Sequence, residues 1–175
     1  MHPPSHLIIS WIVGHRLPER RDRRLVAWAG MAPDLDGLTL LASVDAYGRW
    51  HHVLGHGIVA AVLVTALMTA FARDRLKVAA LAFTAFHVHL LCDLLGSGVQ
   101  WGIHYFWPFS DHEFFSPYRW DLASWQNGTI TALALLVCVR LALVHGRTFA
   151  ETFLPAKADE AVVETLRRRF TPGRK

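Results

Sequence analysis

GIVAAVLVTALMTAFARDRLKVAALAFTAFHVHLLCDLL, residues 57–95, decides the fold of this 175-residue chain. Two apolar runs, 57–72 and 78–95, are separated only by the charged turn Arg73-Asp74-Arg75-Leu76-Lys77. Neither run alternates with period two, and both are rich in Ala and Leu over helical lengths, so each reads as a helix. A turn this short forces the two helices to lie antiparallel. The polar exceptions in the second run are His87, His89 and Asp93. His89 and Asp93 stand four apart and share one helical face. A carboxylate in such a segment is expensive unless a charge or a metal compensates it.

Folding the hairpin about Asp74 or Arg75 sets His56, just before the first run, level with Asp93 and Leu94. The stretch Trp50-His51-His52-Val53-Leu54-Gly55-His56 then meets His89 and Asp93 at one end of the hairpin. Taken alone, His89 and Asp93 read equally well as an ion pair stapling two helices. Histidines ahead of an apolar helix are likewise common at a membrane boundary. Their arrival at the same end favours a shared site.

Outward from the hairpin, strand signals are scarce. Residues 7–14 form a short apolar helix expected to open near Ser5 or His6, 24–32 a second that stops at Pro33, and 129–144 a third broken only by Arg140. The chain is 53% apolar and only 18% charged, against roughly 25% charged in soluble domains. A bilayer core of about 30 Å asks for roughly 20 apolar residues; 78–95 is adequate, while 57–72 and 129–144 are short. The expected fold is all-α, a helical bundle with several membrane-spanning or membrane-embedded helices and a metal site at one end of the hairpin. Residues 1–150 form the membrane-embedded metal-site domain. Residues 151–175, acidic early and basic late, read as a polar C-terminal tail helix.

The net charge of +4 does not point to nucleic acid. Basic residues cluster at 16–24, 73–77 and 167–175, each flanking an apolar segment, as at a membrane surface. By the positive-inside rule the 73–77 turn and the tail are expected in the cytoplasm and the 96–128 loop outside. The 16–24 cluster fits only if another crossing or re-entrant segment precedes residue 57. Cys92 and Cys138, inside apolar runs, read as buried thiols. The first residues lack the basic start and cleavage site of a secretory signal, so the N-terminus is expected to be retained.

Pro33-Asp34-Leu35-Asp36-Gly37 adds a loop with two hard oxygen ligands. For an isolated Asp-x-Asp, turn or cap roles would win, but beside a histidine cluster a mixed His/carboxylate set suits zinc or manganese. His6 offers a further nitrogen, and His104 in the long loop a secondary ligand or proton carrier. His87, two residues from His89, faces away and reads as structural.

The order of these elements, a histidine near the N-terminus, Pro33-Asp34-Leu35-Asp36, His51-x4-His56, His89-x3-Asp93 and Trp107-Pro108-Phe109-Ser110, resembles the membrane-bound metal-dependent hydrolases often described as LexA-regulated. The resemblance runs from about His6 to Ser110 and lies in order and spacing. The His-x3-Asp element is also distantly similar to zinc-dependent phospholipase C, an all-helical enzyme with clustered zinc ions. His52 and Val53 stand where the hydrolase family usually has Arg and Gly, so a substrate-contacting arginine is missing.

The resemblance and the residues together imply an integral, multi-pass protein of the cell membrane. One to three divalent ions, Zn2+ first and Mn2+ second, are expected on His6, Asp34, Asp36, His51, His56, His89, Asp93 and His104. Water activated there would attack an ester or phosphoester, with Asp34 or Asp36 as base. The expected partners are membrane lipid and a small-molecule or lipid-like substrate. Two rivals remain: a metal-binding or metal-transport protein without turnover, and a structural protein whose polar residues lock helices together.

Overall fold

A computed structural model describes residues 1–171; the end of the expected tail, 172–175, lies outside them. The helices are α1 (Pro3–Gly14), α2 (Arg20–Met31), α3 (Val44–Trp50), α4 (Ile58–Ala70), α5 (Arg75–Gly96), α6 (Trp125–His145) and α7 (Ala156–Phe170). Two 3-10 segments, Ala32–Leu41 and Phe149–Thr152, complete the order. Among the described residues there is no strand, only an isolated bridge between Ile103 and Phe114 in the long loop.

Local chemistry sets the ends. Prolines occupy the first turn of α1, where their missing N–H is no loss, so the helix opens at Pro3, ahead of Ser5. The Asp74 side chain accepts the Lys77 N–H at 3.2 Å and starts α5. Gly146, in the left-handed region at φ 65°, ends α6. α6 gains a polar first turn that an apolar count overlooks: Asn127 donates to the Gly96 and Leu122 carbonyls at 2.8 and 2.9 Å. The helix thereby reaches 21 residues, and with the 22-residue α5 it is long and apolar enough to cross a membrane.

α1 lies at the centre, against α2, α5 and α6, while α4 and α5 form the expected hairpin and α2 covers α5 and α4. Trp11 of α1 is completely buried. Buried Ala27 and Ala29 of α2 and Ala82 and Ala85 of α5 let the helices approach closely. By contrast, α6 leaves Leu133, Leu136 and Val144 more than half exposed, an apolar face suited to lipid.

Polar contacts tie the links at one end together. The Asp22 carboxylate accepts the main-chain N–H groups of Arg73 and Asp74, both at 2.9 Å, joining the start of α2 to the α4–α5 turn. Arg23 grips Glu151 through Nε and Nη2 at 2.5 and 2.6 Å, and Trp11 Nε1 donates to the same carboxylate at 2.8 Å. The boundary expected between residues 150 and 151 falls inside this 3-10 turn, where Glu151 is 1% exposed. The first part of α7 also docks, through the buried Asp159, which accepts from the Thr148 hydroxyl.

Candidate metal centre

At the opposite end, five elements converge: the start of α1 with His6, the end of α2 with Gly30, the 3-10 segment with Asp34 and Asp36, the approach to α4 with His51 to His56, and the end of α5 with His89 and Asp93. The bend after α2 at Pro33 continues as 3-10 helix and lays the two aspartates across the mouth of the α4–α5 hairpin.

The hydrogen-bond network decides what each ring presents. His89 Nδ1–H donates to the Gly30 carbonyl at 2.7 Å. His56 Nδ1–H donates to Asp36 Oδ2 at 2.9 Å. Carbonyl and carboxylate oxygens only accept, so both rings carry the Nδ1 proton when neutral and turn a bare Nε2 inward. Those two Nε2 atoms lie 3.2 Å apart. Asp93 Oδ2 sits 2.8 Å from His89 Nε2, 3.4 Å from His56 Nε2 and 4.0 Å from His52 Nε2. Asp34 Oδ1 is 3.7 Å from His89 Nε2, and His6 Nε2 is 3.1 Å from Asp93 Oδ1.

Two groups result whose ligand atoms lie within 4.8 Å of one another, His6 with Asp34, His89 and Asp93, and His52 with His56 and Asp93. Asp93 belongs to both. Asp34 Oδ2, Asp93 Oδ2, His6 Nδ1 and His52 Nδ1 are buried without a hydrogen-bond partner. Asp93 Oδ1 accepts from the Met1 ammonium and from the Ser97 hydroxyl, the latter at 2.9 Å. Its Oδ2, facing the histidine nitrogens, has no such donor, which is unfavourable unless a cation or an added proton enters. Without an ion, His56 supplies that proton. Burial opposes its charge, but hydrogen bonds to Asp36 and Asp93 prevail and raise its pKa to about 9. His52, by contrast, is pushed down to about 2 by burial and the neighbouring His56, and stays neutral. The nitrogen and carboxylate donors fit zinc or manganese.

The other expected residues take different places. Asp36 is outside both groups. It accepts His51 Nδ1–H at 2.6 Å and the main-chain N–H groups of His52 and Gly55 at 3.1 and 3.0 Å, besides His56. Burial would raise its pKa, yet the hydrogen bonds from His51 and His56 hold it well below the usual carboxylate range. Asp34 has no such support, and burial raises its pKa. His51 also lies outside both groups, its ring stacked on Tyr47 at 4.6 Å and close to Trp101 at 5.3 Å. His104 contributes its main chain, donating N–H to the His52 carbonyl at 3.2 Å, and its ring is in neither group. His87 bonds Phe83 and Tyr105 away from the centre.

His52 is the ligand candidate that sequence reasoning missed. Its backbone is left-handed, φ 67°, a conformation uncommon outside glycine but one that His adopts more readily than most side chains. That turn lets adjacent residues diverge, with His51 bound to Asp36 and His52 in the group that contains Asp93. A His-His pair is the one hint the sequence carries. Beside the centre a cavity of about 370 Å³ is lined by Asp34, Leu38, Tyr47, His51, His52 and Trp101, among others.

A profile of the YdjM inner membrane protein family matches residues 1–161, and the chain belongs to that family. No curated protein and no solved structure matches it.

Proposed function

We propose that this inner membrane family member is an integral, multi-pass, metal-dependent hydrolase acting on an ester or phosphoester, with a lipid-like molecule as its substrate class. The observation that carries the reading is the convergence of bare Nε2 atoms of His56 and His89 on the carboxylate of Asp93, beside a solvent-reached cavity. His6, Asp34, His89 and Asp93 would hold one divalent ion and His52, His56 and Asp93 a second; bound there, such ions would supply Lewis acidity and bring the pKa of a water towards neutrality.

The protein's own groups divide the remaining work. Asp36 holds His51 and His56 in place and is a poor base, because four hydrogen bonds already satisfy it. Asp34, half-buried, raised in pKa and unpartnered at Oδ2, is the better acceptor for a proton leaving water. Leu38, Tyr47 and Trp101 give the cavity apolar walls for the non-reacting part of the substrate. Gathering of all these ligands at one end favours turnover over conduction, which would need ligands spread through the membrane's depth.

Elemental mass spectrometry of detergent-purified protein tests the reading, wild type beside His89→Ala and Asp93→Ala, followed by hydrolysis of bis(p-nitrophenyl) phosphate and p-nitrophenyl esters. Stoichiometric zinc or manganese, lost in both folded variants, with hydrolysis abolished by chelator, is expected. A folded wild type that takes up no supplied metal would leave only a helix-locking role, and metal without turnover would leave a binding protein.

A further inference from the structure

The two ends of the bundle differ in charge as well as in chemistry. The links at the metal-centre end, residues 32–57 and 97–124, carry only Arg49 and Arg119 of the chain's 18 lysines and arginines. The opposite end holds the links α1–α2 and α4–α5, joined through Asp22, and the segment after α6, joined through Glu151 and by Arg147 donating to the Leu17 carbonyl at 3.1 Å. α1 runs away from the centre to this basic end and α2 returns. The 16–24 cluster thus sits beside 73–77, as a re-entrant hairpin requires. From Arg75 to Asp93 the axis of α5 covers about 27 Å at 1.5 Å per residue, close to the roughly 30 Å of a bilayer core. One end at one membrane face therefore puts the other end at the opposite face.

A second feature marks the mouth of the cavity. In a 3-10 helix, side chains three apart eclipse each other. Leu35, Leu38 and Leu41 therefore form one apolar edge, 60, 59 and 86% exposed, and Leu38 also lines the cavity. Trp125, at the start of α6 on this same end, is 75% exposed, as expected of an aromatic at a membrane boundary.

We infer that the bundle stands with its basic end in the cytoplasm and its metal centre at the outer face of the membrane, where the Leu35–Leu38–Leu41 edge seats in the acyl chains and the cavity receives an amphiphile of the outer leaflet. The inference rests on the integral, multi-pass reading proposed above but not on the presence of metal or on turnover. Its physical basis is the retention of Lys- and Arg-rich links on the cytoplasmic side.

Thiol labelling decides it. Single variants Gln100→Cys, Leu76→Cys and Leu41→Cys, all at exposed positions, are expressed in cells and treated with a membrane-impermeant maleimide before and after permeabilisation, against the labelling of the native thiols. Expected are labelling of Gln100→Cys in intact cells, labelling of Leu76→Cys only after permeabilisation, and at least tenfold slower aqueous labelling of Leu41→Cys than of Gln100→Cys. The reverse pattern for Gln100 and Leu76 would put the centre in the cytoplasm, and labelling of both in intact cells would remove the crossing. Equal rates at Leu41 and Gln100 would take the leucine edge out of the lipid and end the outer-leaflet route. Metal content, measured on the same proteins, reports on the hydrolase reading separately.

Discussion

Asp36 accepts the Nδ1 proton of His56 at 2.9 Å, and by doing so aims the other ring nitrogen at Asp93, 3.4 Å away. A residue that holds no ion in this arrangement still decides whether its neighbour can. Asp36→Asn keeps the volume but removes the charge and part of the accepting capacity. Metal affinity should fall by roughly 10- to 100-fold with the ligand set intact. Titration with a competing chelator measures this; unchanged affinity would make the Asp36 network purely structural.

Asp93 is shared by both ligand groups, whereas His52 belongs to one. His52→Ala should therefore lower metal stoichiometry by about half, and Asp93→Asn should abolish it. Equal losses in the two variants would point to one ion rather than two. Circular dichroism separates either result from unfolding.

Gly30 lies where α1 and α2 touch, and a Cβ there would come within 1.9 Å of the Ser10 hydroxyl and 2.6 Å of its Cβ. Gly30→Ala must separate the helices or displace the Gly30 carbonyl that fixes the tautomer of His89. The expected outcome is about 1–3 kcal/mol of lost stability together with reduced metal binding. The same variant with Ser10→Gly should recover part of both, because the Ser10 atoms are gone while the Ala85 carbonyl, 3.1 Å from the new Cβ, stays close.

The raised pKa of His56 gives the metal-free protein a pH signature. A group whose folded pKa, about 9, exceeds its ordinary 6.5 stabilises the fold fully below the ordinary value. That stability is lost as pH rises through the folded value. Melting temperature in chelator should thus decline between pH 6.5 and 9, and the decline should vanish in His56→Gln. Metal binding displaces the same proton, so apparent affinity should rise by up to about tenfold per pH unit over this window.

Glu151 ties the segment after α6 to Arg23 and Trp11. Glu151→Ala leaves a buried guanidinium without its partner and should cost about 3–5 kcal/mol. A chain ended after residue 150 loses the same carboxylate and should be at least as unstable. If thermal melting is unaffected by either change, the expected division into a 1–150 domain and a separate tail stands as drawn.

Local pattern carried much of this. The Ala- and Leu-rich runs specify helices wherever they are placed, and the short charged turn permits only an antiparallel hairpin. Four-residue spacing puts His89 and Asp93 on one face whatever packs against it. Hairpin geometry brought His56 to them, and all three appear in the two ligand groups with His6 and Asp34. Where pattern ran short, the cause was polar chemistry at helix ends: Asn127 extended α6, and the prolines opened α1 early.

The division of labour between Asp34 and Asp36, and between His51 and His52, depended instead on backbone angles. Residues 34 and 36 lie on one 3-10 segment, where a rotation of about 240° separates side chains two apart. One carboxylate faces His89 and the other faces the turn around His52. The left-handed φ of His52 then tilts its ring against that of His51, centroids 4.5 Å apart, so that the two face different carboxylates. By itself the sequence determined the helices, the hairpin and which residue types could gather at its end, because these follow from period and spacing. Only the tertiary structure decided which atoms meet and with which protons, because a lone pair's direction depends on what the far side of each ring and carboxylate is bonded to.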